Sequence, residues 1–110
     1  MTSPQNLQLE ANSTLADIQT YIAEMVKQRG FDQHTLDDNF IMLTEEVGEL
    51  AKALRPVRGV SVADDSKMTE VEHEVADVLW MLVCVCNKLD IDLNLALRSK
   101  EQKNMHRTWR

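Results

Sequence analysis

A chain of 110 residues has room for one modest hydrophobic core and not for two. With only three glycines and two prolines, 44% hydrophobic and 27% charged residues, it favours long helices over a many-stranded sheet. The formal net charge of −6 argues against a nucleic-acid polymer as partner, because a duplex repels an acidic face; a small anion stays open, since a divalent metal can supply the missing charge.

Polar residues fill the first dozen positions, so residues 1–12 are expected to be a flexible N-terminal segment ahead of a single helical domain over 13–110. The opening "MTSPQNLQLEANST" has neither a basic n-region nor an apolar h-region, and no signal peptide is expected. No segment reaches the ~18 apolar residues of a membrane span. Cys84 and Cys86 stand two apart, which on a helix turns them roughly 200° from each other, so they neither bond together nor chelate one ion. Buried free thiols in a reducing, cytoplasmic compartment are the expectation.

Thr14, with Asp17 three residues on, opens the first helix; Leu15, Ile18, Ile22, Met25 and Val26 keep helical spacing, and Gly30 stands where a C-terminal cap belongs. Thr35 with Asp38 opens the second. Its apolar stripe is Phe40, Leu43, Val47, Leu50 and Leu54, and Arg55-Pro56 stops it. "PVRGVSVADDS", residues 56–66, reads as a loop. Thr69 with Glu72 is expected to open a third helix running to about Leu89, and Asp92 to cap a fourth from Leu93 towards the C-terminus. An all-α four-helix bundle follows.

The second helix carries "LTEEVGEL", three carboxylates within two turns and a glycine among them. Like charges at bad spacing cost about 0.2–0.5 kcal/mol per pair, and an interior glycine costs roughly another 1 kcal/mol. Glu46 lies roughly 60° to one side of Leu43 and Glu49 about 120° to the same side, at the shoulder of the apolar stripe, while Glu45 points further round and Lys52 nearly away from the core. On the third helix Glu74 and Asp77 are again i, i+3, beside Val71, Val75, Val78, Leu79 and Leu82. Two such pairs on facing helices can give four oxygen ligands to one hard cation, Mg²⁺ first and Mn²⁺ next. A solvated acidic face is the other reading.

"VLWMLVCVC", Val78 to Cys86, is apolar on every side. A small bundle cannot cover such a helix from within one chain, which implies self-association. On the last helix Lys100, Lys103, Asn104 and Arg107 share one face. They can grip phosphates through charge-assisted bonds, or merely offset the helix dipole.

"EEVGE", Glu45 to Glu49, followed by "EVAD", Glu74 to Asp77, and by "SKEQKNMHR", Ser99 to Arg107, resembles the MazG-like nucleotide pyrophosphohydrolases, near the small MazG-like and dCTP pyrophosphatase branch. The likeness spans roughly Thr14 to Arg107. It implies the all-α NTP pyrophosphatase fold completed by oligomerisation, as homodimer or homotetramer. It also implies a Mg²⁺-dependent hydrolase that splits a nucleoside triphosphate between its α and β phosphates, favouring deoxynucleotides such as dCTP in nucleotide-pool house-cleaning. Glu46, Glu49, Glu74 and Asp77 match the family's metal ligands, with Glu45 and Glu46 and Glu49 as the catalytic acids. Glu45 itself matches a position that some dCTP-directed relatives lack, and is a supporting group, a ligand to another metal or a base for the water. Lys100, Asn104 and Arg107 match the phosphate-holding positions. Phe31, His34, Asn39 or Trp80 could meet the base.

Two other readings compete. A carboxylate-bridged di-iron bundle wants two ExxH motifs, and "EVEH", Glu70 to His73, has no second partner. A non-catalytic helical interaction module would keep its acids solvated. The preferred base and sugar, the number of metals and the choice of dimer or tetramer are not legible in the sequence.

Overall fold

The computed structural model describes residues 7–57 and 65–108. Over them the chain is all-α: α1 (Leu15–Gln28), α2 (Leu36–Leu54) ending in a 3-10 turn (Arg55–Val57), α3 (Asp65–Lys88) and α4 (Leu93–Met105). Residues 1–6 of the expected flexible segment and 58–64 of the expected loop lie outside the described residues.

The helix starts follow local chemistry. Thr14 caps α1 and Thr35 caps α2, each by a reciprocal pair of hydrogen bonds with the acid three residues on. The Asp17 N–H donates to Thr14 Oγ1 (3.1 Å) and the Thr14 N–H to Asp17 Oδ2 (2.9 Å); Thr35 and Asp38 repeat this at 3.1 and 3.0 Å. Each pair satisfies two of the amide donors that a helix N-terminus leaves open. In Asp38 these bonds hold the carboxyl below its ordinary range. Asp92 caps α4 by accepting from the Leu95 N–H.

Two ends use a left-handed residue. After α1, Gly30 has φ +78°, and the Phe31 and Gly30 N–H groups return to Val26 and Lys27 carbonyls. After α3 the same pattern recurs with a non-glycine: Asp90 has φ 54°, and the Ile91 and Asp90 N–H groups return to Cys86 and Asn87. This double bond closes the orphan carbonyls of the last turn.

The third helix departs from expectation. It begins at Asp65, so Thr69 and Glu72 lie inside it rather than at its start. A Thr-x-x-Glu pattern caps only when the chain before it leaves the helix, and Ser66-Lys67-Met68 contains nothing to break one.

The chain forms two compact units. One holds α1, the last residues of α3 and α4; the other, Gln33–Val85, holds α2 and most of α3. In the first unit Gln19 is a polar clamp. Its Nε2 donates to Asn87 Oδ1 (3.0 Å) and the Ile91 carbonyl (2.8 Å), its Oε1 accepts from the Leu93 N–H (2.9 Å), and its own carbonyl accepts from Asn87 Nδ2 (3.0 Å). One side chain thus ties α1 to the end of α3 and the start of α4. In the second unit the positions of the acids mark the direction of packing. Glu46 interacts with Asp77, while Glu49 and Ala53 line one depression with Glu74 and Glu70. Neighbours on α3 fall in number as those on α2 rise, so the two helices run antiparallel.

Burial is thinner than the apolar patterns suggest. Among the described residues Ile22, Met25, Val71, Met81, Val83, Cys84 and Cys86 are the buried apolar ones, and neither cysteine is in a disulfide. The α2 stripe is not a buried stripe within this chain: Phe40 is 60% exposed, Val47 48% and Leu54 44%. Leu79 and Leu82 are also exposed, so α3 is not covered all round. Slender helices in so short a chain lack the partners to bury a second face. No described helix is long and apolar enough to cross a membrane.

Candidate active site

Glu46 of α2 and Glu74 and Asp77 of α3 converge. Each offers one carboxylate oxygen, and the three oxygens lie within 4.8 Å of one another. The i, i+3 spacing puts Glu74 and Asp77 one above the other on α3, and the antiparallel α2 brings Glu46 across to them. Glu46 and Glu74 are half-buried and Asp77 is exposed.

Such crowding is expensive. Burial raises the proton affinity of Glu46 above its ordinary range, and the negative charges of Asp77, Glu74, Glu49 and Glu45 add to the effect in that order. Glu74 Oε2 is buried and has no hydrogen-bond partner. A buried carboxylate oxygen left without a donor costs free energy that a cation would return. Three hard oxygens in this arrangement, with no described thiol or imidazole among them, fit a divalent cation of the Mg²⁺ or Mn²⁺ type.

The other expected residues stand as follows. Glu49 is exposed and outside the converging trio; with Lys52, Ala53, Pro56, Glu70 and Glu74 it lines an adjacent depression of ≈ 390 Å³. Glu45 is exposed. A Cβ on Gly48 would meet nothing within 4 Å, so no other part of the described chain requires a glycine there. Asn39 is buried at 5% exposure and is the buried polar residue of α2, while His34 and Trp80 are half-buried. Phe31 is exposed and belongs to the other unit.

The basic residues also belong to the first unit. Lys100, Lys103 and Asn104 lie on α4, but the helix ends at Met105 with His106 as its cap, so Arg107 sits beyond it and not on a continuing helical face. The Asn104 carbonyl accepts the Arg107 N–H (3.1 Å), and Asn104 Oδ1 is buried without a partner.

Sequence reasoning did not single out Lys52 and Glu70 as neighbours of the site, or Gln19 as a clamp. The signal for Gln19 was present: it is a polar residue at i+4 from Leu15 within the apolar stripe of α1. Lys52 and Glu70 carried none, since only the antiparallel pairing brings them together.

An all-α chain with three carboxylates converging from two antiparallel helices is a helical protein with a candidate site for a divalent cation. Comparison with known proteins specifies it. Residues 34–109 match the model of the MazG nucleotide pyrophosphohydrolase domain. YpjD of Bacillus subtilis (strain 168), an uncharacterized protein, is 36% identical over 92 residues, covering 78% of each chain. Human dCTP pyrophosphatase 1 is 29% identical over 110 residues, covering 96% of this chain but only 65% of its own length. Among solved structures, a Bacillus-conserved MazG protein, a nucleotide pyrophosphohydrolase, superposes with TM-score 0.73 at 29% identity, covering 91% of this chain and 97% of that one. The structure of Bacillus subtilis YpjD also gives TM-score 0.73, at 31% identity, with 90% and 100% covered.

The chain belongs to the MazG nucleotide pyrophosphohydrolase family. It is a nucleoside triphosphate pyrophosphatase, and its substrate is a nucleotide.

Proposed function

We propose that the protein is a Mg²⁺-dependent enzyme that hydrolyses deoxynucleoside triphosphates such as dCTP to the monophosphate and pyrophosphate, in house-cleaning of the nucleotide pool. The observation that carries the reading is the convergence of Glu46, Glu74 and Asp77 to within 4.8 Å, with Glu74 Oε2 buried and unpartnered. The similarity to human dCTP pyrophosphatase 1 supports the choice of base.

Glu46, Glu74 and Asp77 hold the metal, with Glu49 as a further ligand at the edge of the trio. A bound Mg²⁺ would supply charge neutralisation at the phosphates and acidify a water; Mn²⁺ is the expected substitute. In-line attack at phosphorus needs positioning and electrostatic stabilisation more than a covalent nucleophile. The carboxylates therefore act by orientation, and Glu45 is the base for the attacking water, a supporting group or a ligand to another metal. Lys100, Asn104 and Arg107 bind the phosphates, and His34, Asn39 and Trp80 meet the base. Residues 13–110 act as one domain. The exposed Phe40, Val47, Leu79 and Leu82 support burial against further copies, as homodimer or homotetramer. Two buried cysteines outside any disulfide suit the cytoplasm.

The test is pyrophosphate release from a panel of dNTPs and NTPs, with Mg²⁺ and with chelator. Metal-dependent release with dCTP among the best substrates is expected. Release that survives chelation would overturn the metal assignment, and no release from any nucleotide would favour the non-catalytic module.

A further inference from the structure

Building on that reading of the acidic trio, we propose that Lys52 is a substrate-binding residue that holds the pyrophosphate end of the nucleotide. Glu49, Lys52, Ala53, Pro56, Glu70 and Glu74 line one depression of ≈ 390 Å³, large enough for a diphosphate group. The depression shares Glu74 with the trio, so an anion seated in it lies against the candidate cation site.

Lys52 is the one basic side chain among those six residues. It is exposed and forms no ion pair with a carboxylate among the described residues, although Glu49 lies one turn before it. Among the described residues nothing holds its ammonium away from an incoming anion. The remaining charged groups of the depression are acidic, and a polyphosphate enters such a place only where a cation and a lysine together reverse the local sign. Lysine suits this task as a compact point charge on a flexible stem, able to reach an anion held beside a cation. Compensation of the helix dipole also favours a cation in the last turn of α2, but it predicts an effect on stability and none on anion binding.

The experiment measures binding of inorganic pyrophosphate to the Mn²⁺-loaded full chain by calorimetry, for wild type, Lys52→Ala, Lys52→Gln and Lys52→Arg. Mn²⁺ affinity is measured separately without pyrophosphate, and nucleotide KM and kcat alongside. Loss of one charge-assisted contact should weaken pyrophosphate about tenfold and raise KM by a similar factor, with kcat little changed and Mn²⁺ affinity within about twofold. Lys52→Arg should retain most of the binding. Unchanged pyrophosphate affinity and KM in Lys52→Ala and Lys52→Gln would overturn the proposal, as would a loss that merely follows weaker Mn²⁺ binding, or wild-type protein that takes up no pyrophosphate. Lys52-dependent pyrophosphate binding in a wild type that turns over no nucleotide would sustain the lysine's role and defeat the proposed activity.

Discussion

Glu46 on α2 and Asp77 on α3 present carboxylate oxygens within 4.8 Å of each other, and Asp77 is the strongest of the charges that raise the proton affinity of Glu46. Two acids on different helices, more than two dozen residues apart in sequence, are thus one electrostatic unit. The folded chain gains by protonating Glu46 or by placing a cation there.

A pH dependence with a definite sign follows. Burial first, and then the neighbouring acids, raise the folded-state value of Glu46 above the ordinary 4.5, so the folded chain holds this proton more tightly than the unfolded chain does. The favourable contribution is full below the unfolded value and is lost as pH rises through the raised folded one. In chelator, Glu46→Gln should therefore gain thermal stability relative to wild type as pH rises through that window, and little below it. Added Mg²⁺ should stabilise wild type and not the variant. Thermal melts across pH, with and without metal, check both statements; a variant that tracks wild type at every pH would remove the coupling.

Glu49 separates ligand from bystander. It stands outside the trio yet lines the depression that includes Glu74. As a further ligand, its replacement by alanine should lower kcat/KM by at least about a hundredfold, with helix content and thermal midpoint in chelator preserved or slightly raised through relieved repulsion. Steady-state kinetics beside circular dichroism read the two effects. Unchanged turnover would take Glu49 out of the machinery.

Glycines 30 and 48 should respond to alanine with opposite signs. Gly30 has φ +78°, where a side chain costs about 1–2 kcal/mol, so Gly30→Ala should destabilise by about that amount. Gly48 lies inside α2 with open space around its missing Cβ, and Gly48→Ala should stabilise the helix by about 0.5–1 kcal/mol. Urea denaturation measures both. Full activity in Gly48→Ala would show that no bound nucleotide or second copy needs the gap; a loss would show that one does.

Gln19 should be costly to remove. Its side chain bonds Asn87 Oδ1, the Ile91 carbonyl and the Leu93 N–H. Gln19→Ala leaves part-buried polar groups unsatisfied and should destabilise by about 2 kcal/mol. Gln19→Glu keeps the acceptor but loses the donor and should cost as much or more. Equilibrium unfolding at neutral pH distinguishes these from the small effect of an exposed glutamine.

Features governed by neighbours in sequence were legible before the fold was seen. The caps at Thr14, Thr35 and Asp92 need only a side chain three residues from an amide, and the end at Gly30 only a missing Cβ. Glu74 and Asp77 were readable as one pair because helical spacing alone stacks them. Where the outcome depended on distant groups, local pattern was insufficient. Thr69-Glu72 has the composition of a cap but lies within a helix that begins at Asp65. The periodic stripe Phe40-Val47-Leu54 promised burial that one chain does not provide. Arg107 kept helical spacing in sequence, yet α4 ends before it. The offset of Glu49 from Glu46, Glu74 and Asp77, and the depression that Lys52 and Glu70 both line, depend on how two helices pair, which no periodicity contains.

The most direct test of the central claim is Mn²⁺ binding followed by electron paramagnetic resonance, together with Mg²⁺-dependent pyrophosphate release from dCTP, in wild type and Glu74→Gln. Glu74 is chosen because its buried Oε2 has no hydrogen-bond partner, so a cation is its natural counterpart. The account predicts that wild type binds Mn²⁺ and releases pyrophosphate, and that Glu74→Gln stays folded while losing both. A variant that binds Mn²⁺ and turns over dCTP as wild type does would contradict the assignment of Glu46, Glu74 and Asp77 as the metal site.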